Sequence, residues 1–343
     1  QQEYTHSYPH CWRSKTPVIF RAMDQWFIEI DHPRPEGLFR ECALAEIDRV
    51  RWIPDWGRNR IEAAVKARPD WCISRQRSWG VPIPAFYDAA GNPILDARIV
   101  RRAADLVQQH GSNVWFQTPA AELWQQVRPA DWSGPEAANR SQDTLDVWID
   151  SGSSSRCVTQ QRPELRRSPA PAGQPTPPPW QADLYLEGSD QHRGWFQSSL
   201  LLSLAGNGTA PYRTVLTHGF VVDADREKIS KSKQAGYQKP QTVEAFIKHY
   251  GADVLRLWVA SQDFRNDVVV SDDRIQKVGE TYRLLRNALR YQLSNLYDFD
   301  PAQHAVSDEN LTGLDRWVLG QFAELEAAVG AAYDDFEFHV VYQ

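Results

Sequence analysis

Two short segments carry residue types that suit a polyphosphate. Lys228-Ile-Ser-Lys-Ser-Lys233, the lysine segment, holds three lysines and two serines in six residues, and Glu187-Gly-Ser-Asp-Gln-His192 lies about forty residues upstream. Compact ammonium groups act as point charges on phosphate oxygens, and serine hydroxyls add adaptable donors. Alone, a lysine-rich hexamer is usually a solvated surface loop. The lysine segment therefore indicates a phosphate site only in combination with residues 187–192 and with the elements predicted around both.

Each of the two segments follows a predicted strand. Residues 183–187 form a short apolar run that predicts a buried strand, and residues 192–204 predict a helix after it. Residues 214–222 predict a second apolar strand, which leads into the lysine segment. In open α/β sheets, ligands bind outside the carboxyl ends of the strands. If both strands lie in one sheet, the two segments face a common crevice.

A nucleotide could occupy this crevice with its ribose near Glu187 and its phosphates near Lys228 and Lys231. Fixed cations at a leaving pyrophosphate stabilise charge that develops in the transition state, and losing one such group typically costs ~3 kcal/mol. A structural interpretation stays open for Asp190, which could simply be the N-cap of the following helix. The sequence contains no Gly-x-x-x-x-Gly-Lys-Ser/Thr motif, so it does not support a P-loop NTPase.

Length and composition define a broad class. The 343 residues suggest about two domains, and 42% hydrophobic residues are enough for a substantial core. The net charge of -6 excludes a globally basic nucleic-acid binder but leaves room for a local basic track. No apolar run is long enough to predict a membrane span, and no signal segment is recognisable, so we expect a cytoplasmic protein.

The four cysteines are scattered, with no Cys-x-x-Cys pair, which argues against a structural zinc site and against a disulfide scaffold. We therefore expect reduced thiols and no metal site formed by this segment. The single methionine, Met23, is not at the start, and the last residues end within an apolar pattern. The chain is interpreted as an internal piece of a longer protein.

The remaining patterns predict a mixed architecture. Residues 40–68 predict two helices around a turn at 53–57, and residues 143–150 alternate like a strand. Residues 163–179 are proline-rich and predict an exposed loop. Helical spacing recurs over residues 251–260 and continuously from about residue 272. Together these patterns predict an α/β half-sheet, a small polar insertion and the opening of a helical domain.

Several blocks resemble one enzyme family. Lys228-Ile-Ser-Lys-Ser232 is similar to the KMSKS signature of class I aminoacyl-tRNA synthetases, with Ile229 in place of the usual methionine. That replacement keeps an apolar side chain of similar size. Further blocks resemble the isoleucyl-tRNA synthetase family in order along nearly the whole chain, namely residues 7–12, 71–79, 146–152, 185–196, 216–220 and 251–258.

The resemblance implies an α/β fold: the second half of a class I synthetase Rossmann fold with a small inserted module, followed by the start of an α-helical anticodon-binding domain. In that arrangement, residues 1–30 return from the editing insertion into the catalytic fold, and residues 31–84 are a catalytic-domain segment. The inserted module spans 85–145, the second Rossmann half with the lysine segment spans 146–271, and the truncated anticodon-binding domain spans 272–343.

The resemblance also implies an isoleucine–tRNA ligase, which uses ATP and Mg²⁺ to make isoleucyl-adenylate and then acylates tRNA(Ile). Lys231 would bind the ATP phosphates with Lys228 assisting, and Glu187 would contact the adenylate. Gln191 would bind the amino group of isoleucine. The other implied contacts are Gly188, Asp190, Ser230 and Ser232 for ATP or the adenylate, and Trp148 and Trp195 as walls of the isoleucine pocket.

The sequence also departs from the family pattern. It contains no HIGH motif, no editing domain and no C-terminal zinc-binding cysteines, and residues 233–237 read Lys-Gln-Ala-Gly-Tyr where Ile/Lys-Gly-Asn is commoner. We therefore expect the segment alone to be inactive. Two alternatives stay open: a valine or leucine ligase of the same subclass, and a non-catalytic tRNA-binding remnant, whose affinity for tRNA would fall steeply with salt.

Overall fold

The computed structural model describes residues 6–11, 14–168, 177–223 and 242–343. The chain divides into two compact units. The first unit contains residues 1–50, 58–183 and 192–213, and the second contains residues 51–57, 184–191 and 214–343. Each unit mixes helices and strands, so the α/β content expected from the sequence is confirmed.

The strands are short and are numbered along the chain. They are β1 (Phe27–Ile28), β2 (Pro33–Arg34), β3 (Gly37–Leu38), β4 (Arg51–Ile53), β5 (Trp71–Cys72), β6 (Ser74–Arg75), β7 (Phe86–Tyr87), β8 (Pro93–Ile94), β9 (Asn139–Arg140), β10 (Thr144–Leu145), β11 (Ala182–Gly188), β12 (Tyr212–His218), β13 (Val221–Val222) and β14 (Val268–Val269).

The α-helices are α1 (Phe39–Asp48), α2 (Trp56–Lys66), α3 (Ala97–His110), α4 (Asn113–Gln117), α5 (Ala120–Val127), α6 (Val147–Gly152), α7 (Trp195–Asn207), α8 (Val243–Tyr250), α9 (Ala252–Ala260), α10 (Asp272–Asn295), α11 (Pro301–His304), α12 (Gly313–Asp334) and α13 (Phe338–Tyr342). Short 3₁₀ turns cover Pro163–Leu165, Ser189–Arg193 and Asp308–Asn310, and a π-turn covers Ser155–Thr159. Within the proline-rich tract, residues 169–176 lie outside the described residues.

Several predicted helices are confirmed. The pair α1 and α2 flanks β4 within residues 40–68, and α9 and α10 match the helical spacing near residues 251–260 and after 272. Local chemistry explains where two of these helices begin. Glu41 of α1 accepts a hydrogen bond from the backbone nitrogen of Leu38 at 3.0 Å. Asp272 and Asp273 place negative charge in the first turn of α10, where the helix dipole favours it.

The strand predicted over residues 143–150 is wrong beyond Leu145, because helix α6 begins at Val147. Asp146 is the cause, since its side chain accepts the backbone N–H of Trp148 and caps the helix. The alternative that Asp190 is the N-cap of the following helix is also excluded. The 3₁₀ turn Ser189–Arg193 follows β11, and helix α7 begins only at Trp195.

The sheet most relevant to the two segments has the strand order β11-β12-β4, so β11 and β12 are neighbours as the crevice hypothesis required. Strand β12 runs parallel to β4, with Leu216 paired to Ile53. The strand predicted over 183–187 is confirmed, but only Tyr185 and Gly188 are buried within β11. The single strand predicted over 214–222 is instead two strands, β12 and β13, and β13 pairs in parallel with β14.

Residues 86–127 pack around a hydrophobic cluster within the first unit. The Phe86 ring lies 5.2 Å from that of Trp115 and 5.1 Å from that of Trp124. Both indole N–H groups are satisfied, because Trp115 donates to the carbonyl of Ser141 at 2.9 Å and Trp124 donates to Glu136 at 2.7 Å. This polar region of the sequence therefore contains a core of its own.

The second unit has a cluster formed by helices α8, α9 and α10. Phe246, Val254, Trp258, Ile275 and Val278 are buried there. Among the described residues, no helix combines the length and the apolar character needed to cross a membrane.

Candidate functional site

The turn after β11 presents polar groups around a backbone with no room for a side chain. Glu187 and Asp190 are both exposed, and Gly188 is buried between them. A Cβ atom on Gly188 would lie 3.0 Å from Oδ1 of Asp190 and 3.1 Å from Cε1 of Phe220. Gln191 is half-buried and donates weakly from Nε2 to Asp190 Oδ2 at 3.4 Å. The turn therefore exposes two carboxylates on either side of a buried glycine.

The turn after β12 is held by a segment that the sequence analysis did not single out. A Cβ atom on Gly219 would lie 2.2 Å from the carbonyl oxygen of Asn266, so only glycine fits there. The backbone nitrogen of Phe220 donates to Asp267 Oδ1 at 2.7 Å, and that of Gly219 donates to the carbonyl of Phe264 at 2.8 Å. Because the Phe220 ring reaches Gly188, this segment also supports the turn after β11.

The four proposed phosphate-binding side chains belong to the lysine segment. Lys228, Ser230, Lys231 and Ser232 lie outside the described residues, which stop at Asp223 and resume at Thr242. The part of the chain that the structure describes does contain the strand leading to them, since β13 ends at Val222. Their assignment therefore stays a prediction from sequence.

Trp148 lies in the first unit and lines a cavity of about 270 Å³. Its side chain is 39% exposed, and Arg68, Trp71, Arg75 and Asp146 line the same cavity. The Arg68 guanidinium stacks 4.8 Å from the ring centroid of Trp71 and also donates to Gln197. Burial lowers the pKa of Arg68 from its ordinary value. The cavity thus combines aromatic faces with partly desolvated charge.

Trp195 also lies in the first unit, near the start of α7 and half-buried. It is not among the described residues that line the Trp148 cavity. Its indole nitrogen donates to the carbonyl of Ser151 at 2.8 Å and to Ser154 Oγ at 3.2 Å. In this structure Trp195 therefore contacts the end of the helix that carries Trp148.

Asp146 is a buried carboxylate that the sequence analysis did not identify as functional. It is 5% exposed and receives hydrogen bonds from Trp71, Arg75 and the backbone of Trp148. The sequence signals are its place in the family-like block 146–152 and its position directly before a Val-Trp-Ile run, where an aspartate can cap a helix. Its two side-chain partners lie more than seventy residues earlier in the chain, so only the folded structure shows that these groups meet at Asp146.

A second cavity, of about 390 Å³, shares Arg75 and Asp146 with the first. Arg75, Arg77, Trp79 and Asp150 are among its lining residues. Burial, and then the charge of Asp146, raise the pKa of Asp150 above its ordinary value. No group of three or more His, Cys, Asp or Glu side chains among the described residues could hold a metal ion.

Comparison with known proteins assigns the class. The family model described as "tRNA synthetases class I (I, L, M and V)" matches residues 5–271. The chain belongs to that family. Fold similarity agrees: the Agrobacterium radiobacter K84 agnB2 LeuRS–tRNA–LeuAMS ternary complex matches with a TM-score of 0.57 at 20% identity, covering 79% of this chain and 34% of that one. Mycobacterium tuberculosis methionyl-tRNA synthetase bound by methionyl-adenylate matches with a TM-score of 0.51 at 17% identity. That match covers 97% of this chain and 52% of the synthetase chain.

Curated relatives are more similar in sequence. An isoleucine–tRNA ligase of Geobacter sulfurreducens is 49% identical over 343 residues, which is 100% of this chain and 35% of the relative. That of Methylacidiphilum infernorum is 50% identical over 340 residues, covering 99% of this chain and 34% of the relative. The chain therefore spans about a third of the length of the curated relatives it matches.

Proposed function

We propose that the chain is the part of an isoleucine–tRNA ligase that contributes the second half of the active site. The observation that carries this proposal is the 49% identity to an isoleucine–tRNA ligase along the whole chain. The full-length enzyme would join isoleucine to ATP, releasing pyrophosphate and forming isoleucyl-adenylate, and would then transfer the isoleucyl group to tRNA(Ile). Because the chain spans 35% of that relative, the complete activity belongs to a longer protein.

The proposed domain layout follows the family. Residues 146–271 would form the second half of the Rossmann fold, and residues 85–145 the inserted module. Residues 1–30 and 31–84 would return from the editing insertion and complete the catalytic segment, while residues 272–343 would begin the anticodon-binding domain. The self-contained core of residues 86–127 supports a separate module within residues 85–145.

The turn after β11 would bind the nucleoside part of ATP and of the adenylate. The exposed Glu187 carboxylate can accept hydrogen bonds from ribose hydroxyls. Gly188 would keep the turn close to Asp190 and Phe220, because a side chain there would crowd both. Asp190 adds a second carboxylate beside it. Lys228 and Lys231, with Ser230 and Ser232, would bind the phosphates, whose charge Mg²⁺ partly neutralises when it accompanies ATP.

Two types of side chain would bind isoleucine. The carboxamide oxygen of Gln191 can accept hydrogen bonds from the substrate ammonium group. The exposed ring face of Trp148 offers an apolar wall for the sec-butyl side chain, and Trp195 would support or complete that wall. The partial exposure of Trp148, 39%, favours a ligand-facing role over simple core packing.

The test is amino-acid-dependent pyrophosphate exchange by a full-length ligase that contains this chain. We expect exchange with isoleucine that greatly exceeds exchange with valine or leucine. Lys231→Ala should reduce isoleucine-dependent exchange about a hundredfold, which is typical for one lost transition-state donor. Lys248→Ala is the matched control, because this exposed lysine of α8 should leave exchange unchanged. Preference for valine or leucine would overturn the assigned substrate, and full activity of Lys231→Ala would overturn the role of that lysine.

A further inference from the structure

One buried carboxylate connects three residues of the Trp148 cavity. Asp146 Oδ2 accepts hydrogen bonds from Trp71 Nε1 at 3.0 Å and from Arg75 Nη2 at 3.0 Å. Asp146 Oδ1 accepts the backbone N–H of Trp148 itself at 3.3 Å. All four residues line the same cavity. A change in any of these hydrogen bonds therefore acts directly on the first turn of α6, where Trp148 lies.

The opposite end of α6 is fixed just as firmly. Trp195 Nε1 donates to the Ser151 carbonyl at 2.8 Å. A Cβ atom on Gly152 would lie 2.8 Å from Cδ1 of Leu202 and 2.9 Å from the backbone carbon of Ser198, so α6 and α7 are in direct contact there. With its last turn clamped, the six-residue helix has little freedom to shift except at its capped first turn.

We propose that Asp146, held by Trp71 and Arg75, is a positioning residue that sets the Trp148 indole and thereby the selectivity for isoleucine over valine. This inference rests on the proposed function. A single methylene in an apolar pocket separates two substrates by only about 10- to 200-fold, a range for which isoleucine against valine is itself the standard case. Discrimination by one methylene requires that the Trp148 indole be held in a well-defined position. If the indole could move, the pocket would adapt to the smaller side chain of valine.

Three donors converge on the Asp146 carboxylate, which is more than helix capping requires. A lone capping bond from an aspartate suffices to begin a helix. The additional indole and guanidinium donors restrict both the direction and the rotation of the carboxylate, and hydrogen bonds to an ionised group are stronger than neutral ones. The Asp146 group is therefore suited to placing the following residues, beyond what a cap alone requires.

The experiment replaces one donor while keeping its ring. In a full-length ligase that contains this chain, Trp71→Phe removes the indole N–H to Asp146 and retains an aromatic side chain. We expect the KM for isoleucine in pyrophosphate exchange to rise about tenfold, the scale of one lost hydrogen bond to a charged group. The ratio of kcat/KM for isoleucine over valine should fall, while kcat and the KM for ATP stay within about twofold of the unmodified enzyme.

The chain provides a matched control in Trp124→Phe. Trp124 is also buried and also donates its indole N–H to a carboxylate, Glu136, but it lies in the cluster of residues 86–127 and does not line the cavity. We expect Trp124→Phe to lower the unfolding temperature as much as Trp71→Phe does and to leave the KM for isoleucine unchanged. Equal kinetic effects of the two variants would overturn the proposal.

A second variant covers the case in which Trp71→Phe fails to fold. Asp146→Asn keeps an oxygen acceptor for the cap but weakens the bonds to Trp71 and Arg75, so the same rise in isoleucine KM and loss of selectivity are expected. Unchanged selectivity in a folded Asp146→Asn enzyme overturns the positioning role alone. Absence of isoleucine-dependent exchange in the unmodified full-length enzyme would instead overturn the proposed function, so the two failures are distinguishable.

Discussion

Gly188 shows how a single missing side chain shapes the turn after β11. Its hypothetical Cβ would approach both the flexible Asp190 carboxylate and the Phe220 ring at distances tighter than most real Cβ contacts. The carboxylate can move aside, whereas the ring belongs to a residue whose backbone N–H is bonded to Asp267. A methyl group at this position would therefore displace Asp190 and crowd the backbone that faces the proposed ligand.

We predict that Gly188→Ala in a full-length ligase raises the KM for ATP in pyrophosphate exchange about tenfold and destabilises the fold by about 1–3 kcal/mol through overpacking. Exchange kinetics and thermal unfolding measure the two effects. Gly320→Ala on α12 is the control, because a Cβ there meets nothing within 4 Å. It should be neutral or slightly stabilising, since alanine favours helix over glycine. An ATP KM unchanged in Gly188→Ala would argue against nucleotide binding at this turn.

At the scale of secondary-structure elements, the contact between α6 and α7 is tighter than ordinary helix packing. Gly152 allows it, since a Cβ there would overlap the Ser198 backbone and not merely a flexible side chain. Because backbone cannot give way as a side-chain end can, this contact tolerates no larger residue. Trp148, the proposed wall of the isoleucine pocket, thus lies on a helix that packs directly against the backbone of α7.

We predict that Gly152→Ala lowers the free energy of unfolding by about 1–3 kcal/mol, as insertion into a well-packed core does. Urea unfolding of the full-length ligase, followed by circular dichroism, provides the measurement. Gly330→Ala, again with open space around the added methyl, serves as the comparison and should cost nothing. Equal stability of the Gly152→Ala and unmodified proteins would show that α6 and α7 are not in contact as described.

The limits of prediction from sequence are also clearest at this scale. The 24-residue helix α10 was predicted because its apolar residues repeat with a period near 3.6 over a long segment, so that local exceptions matter little. The strand assigned to 143–150 failed because alternation over a few residues fits a strand and a short capped helix equally well, and Asp146 decides between them. The motifs located the turn after β11, whereas the Asp146 and Asp267 contacts join positions distant in sequence and carry no local signal.

At the scale of the whole molecule, we propose that the chain is one contributor to a larger active site. It matches isoleucine–tRNA ligases along its entire length while spanning about 35% of theirs. Amino-acid activation needs groups on both sides of the ATP phosphates, and the histidines of the HIGH motif, which the family resemblance implies, are not in this sequence. Binding contacts can therefore exist in the chain without catalysis.

We predict that the isolated 343-residue chain forms no isoleucyl-adenylate, whereas the full-length ligase that contains it does. Trapping of radiolabelled isoleucyl-adenylate with equal molar amounts of each protein distinguishes them. Far-ultraviolet circular dichroism of the isolated chain is needed alongside, so that inactivity is compared at known helix content. Adenylate formation by the chain alone would contradict the view that the second half of the site depends on the first.

The pairing of β13 with β14 has a consequence for the order in which the protein folds. Val221 pairs with Val268, so these two-residue strands are joined only by closing a long stretch of chain. Loop closure costs entropy before any long-range contact repays it, and contacts distant in sequence form later than local helices. Helices α8 and α9 lie within that stretch and can form first. During synthesis, the strand that leads to the lysine segment therefore cannot pair with β14 until residue 268 has left the ribosome.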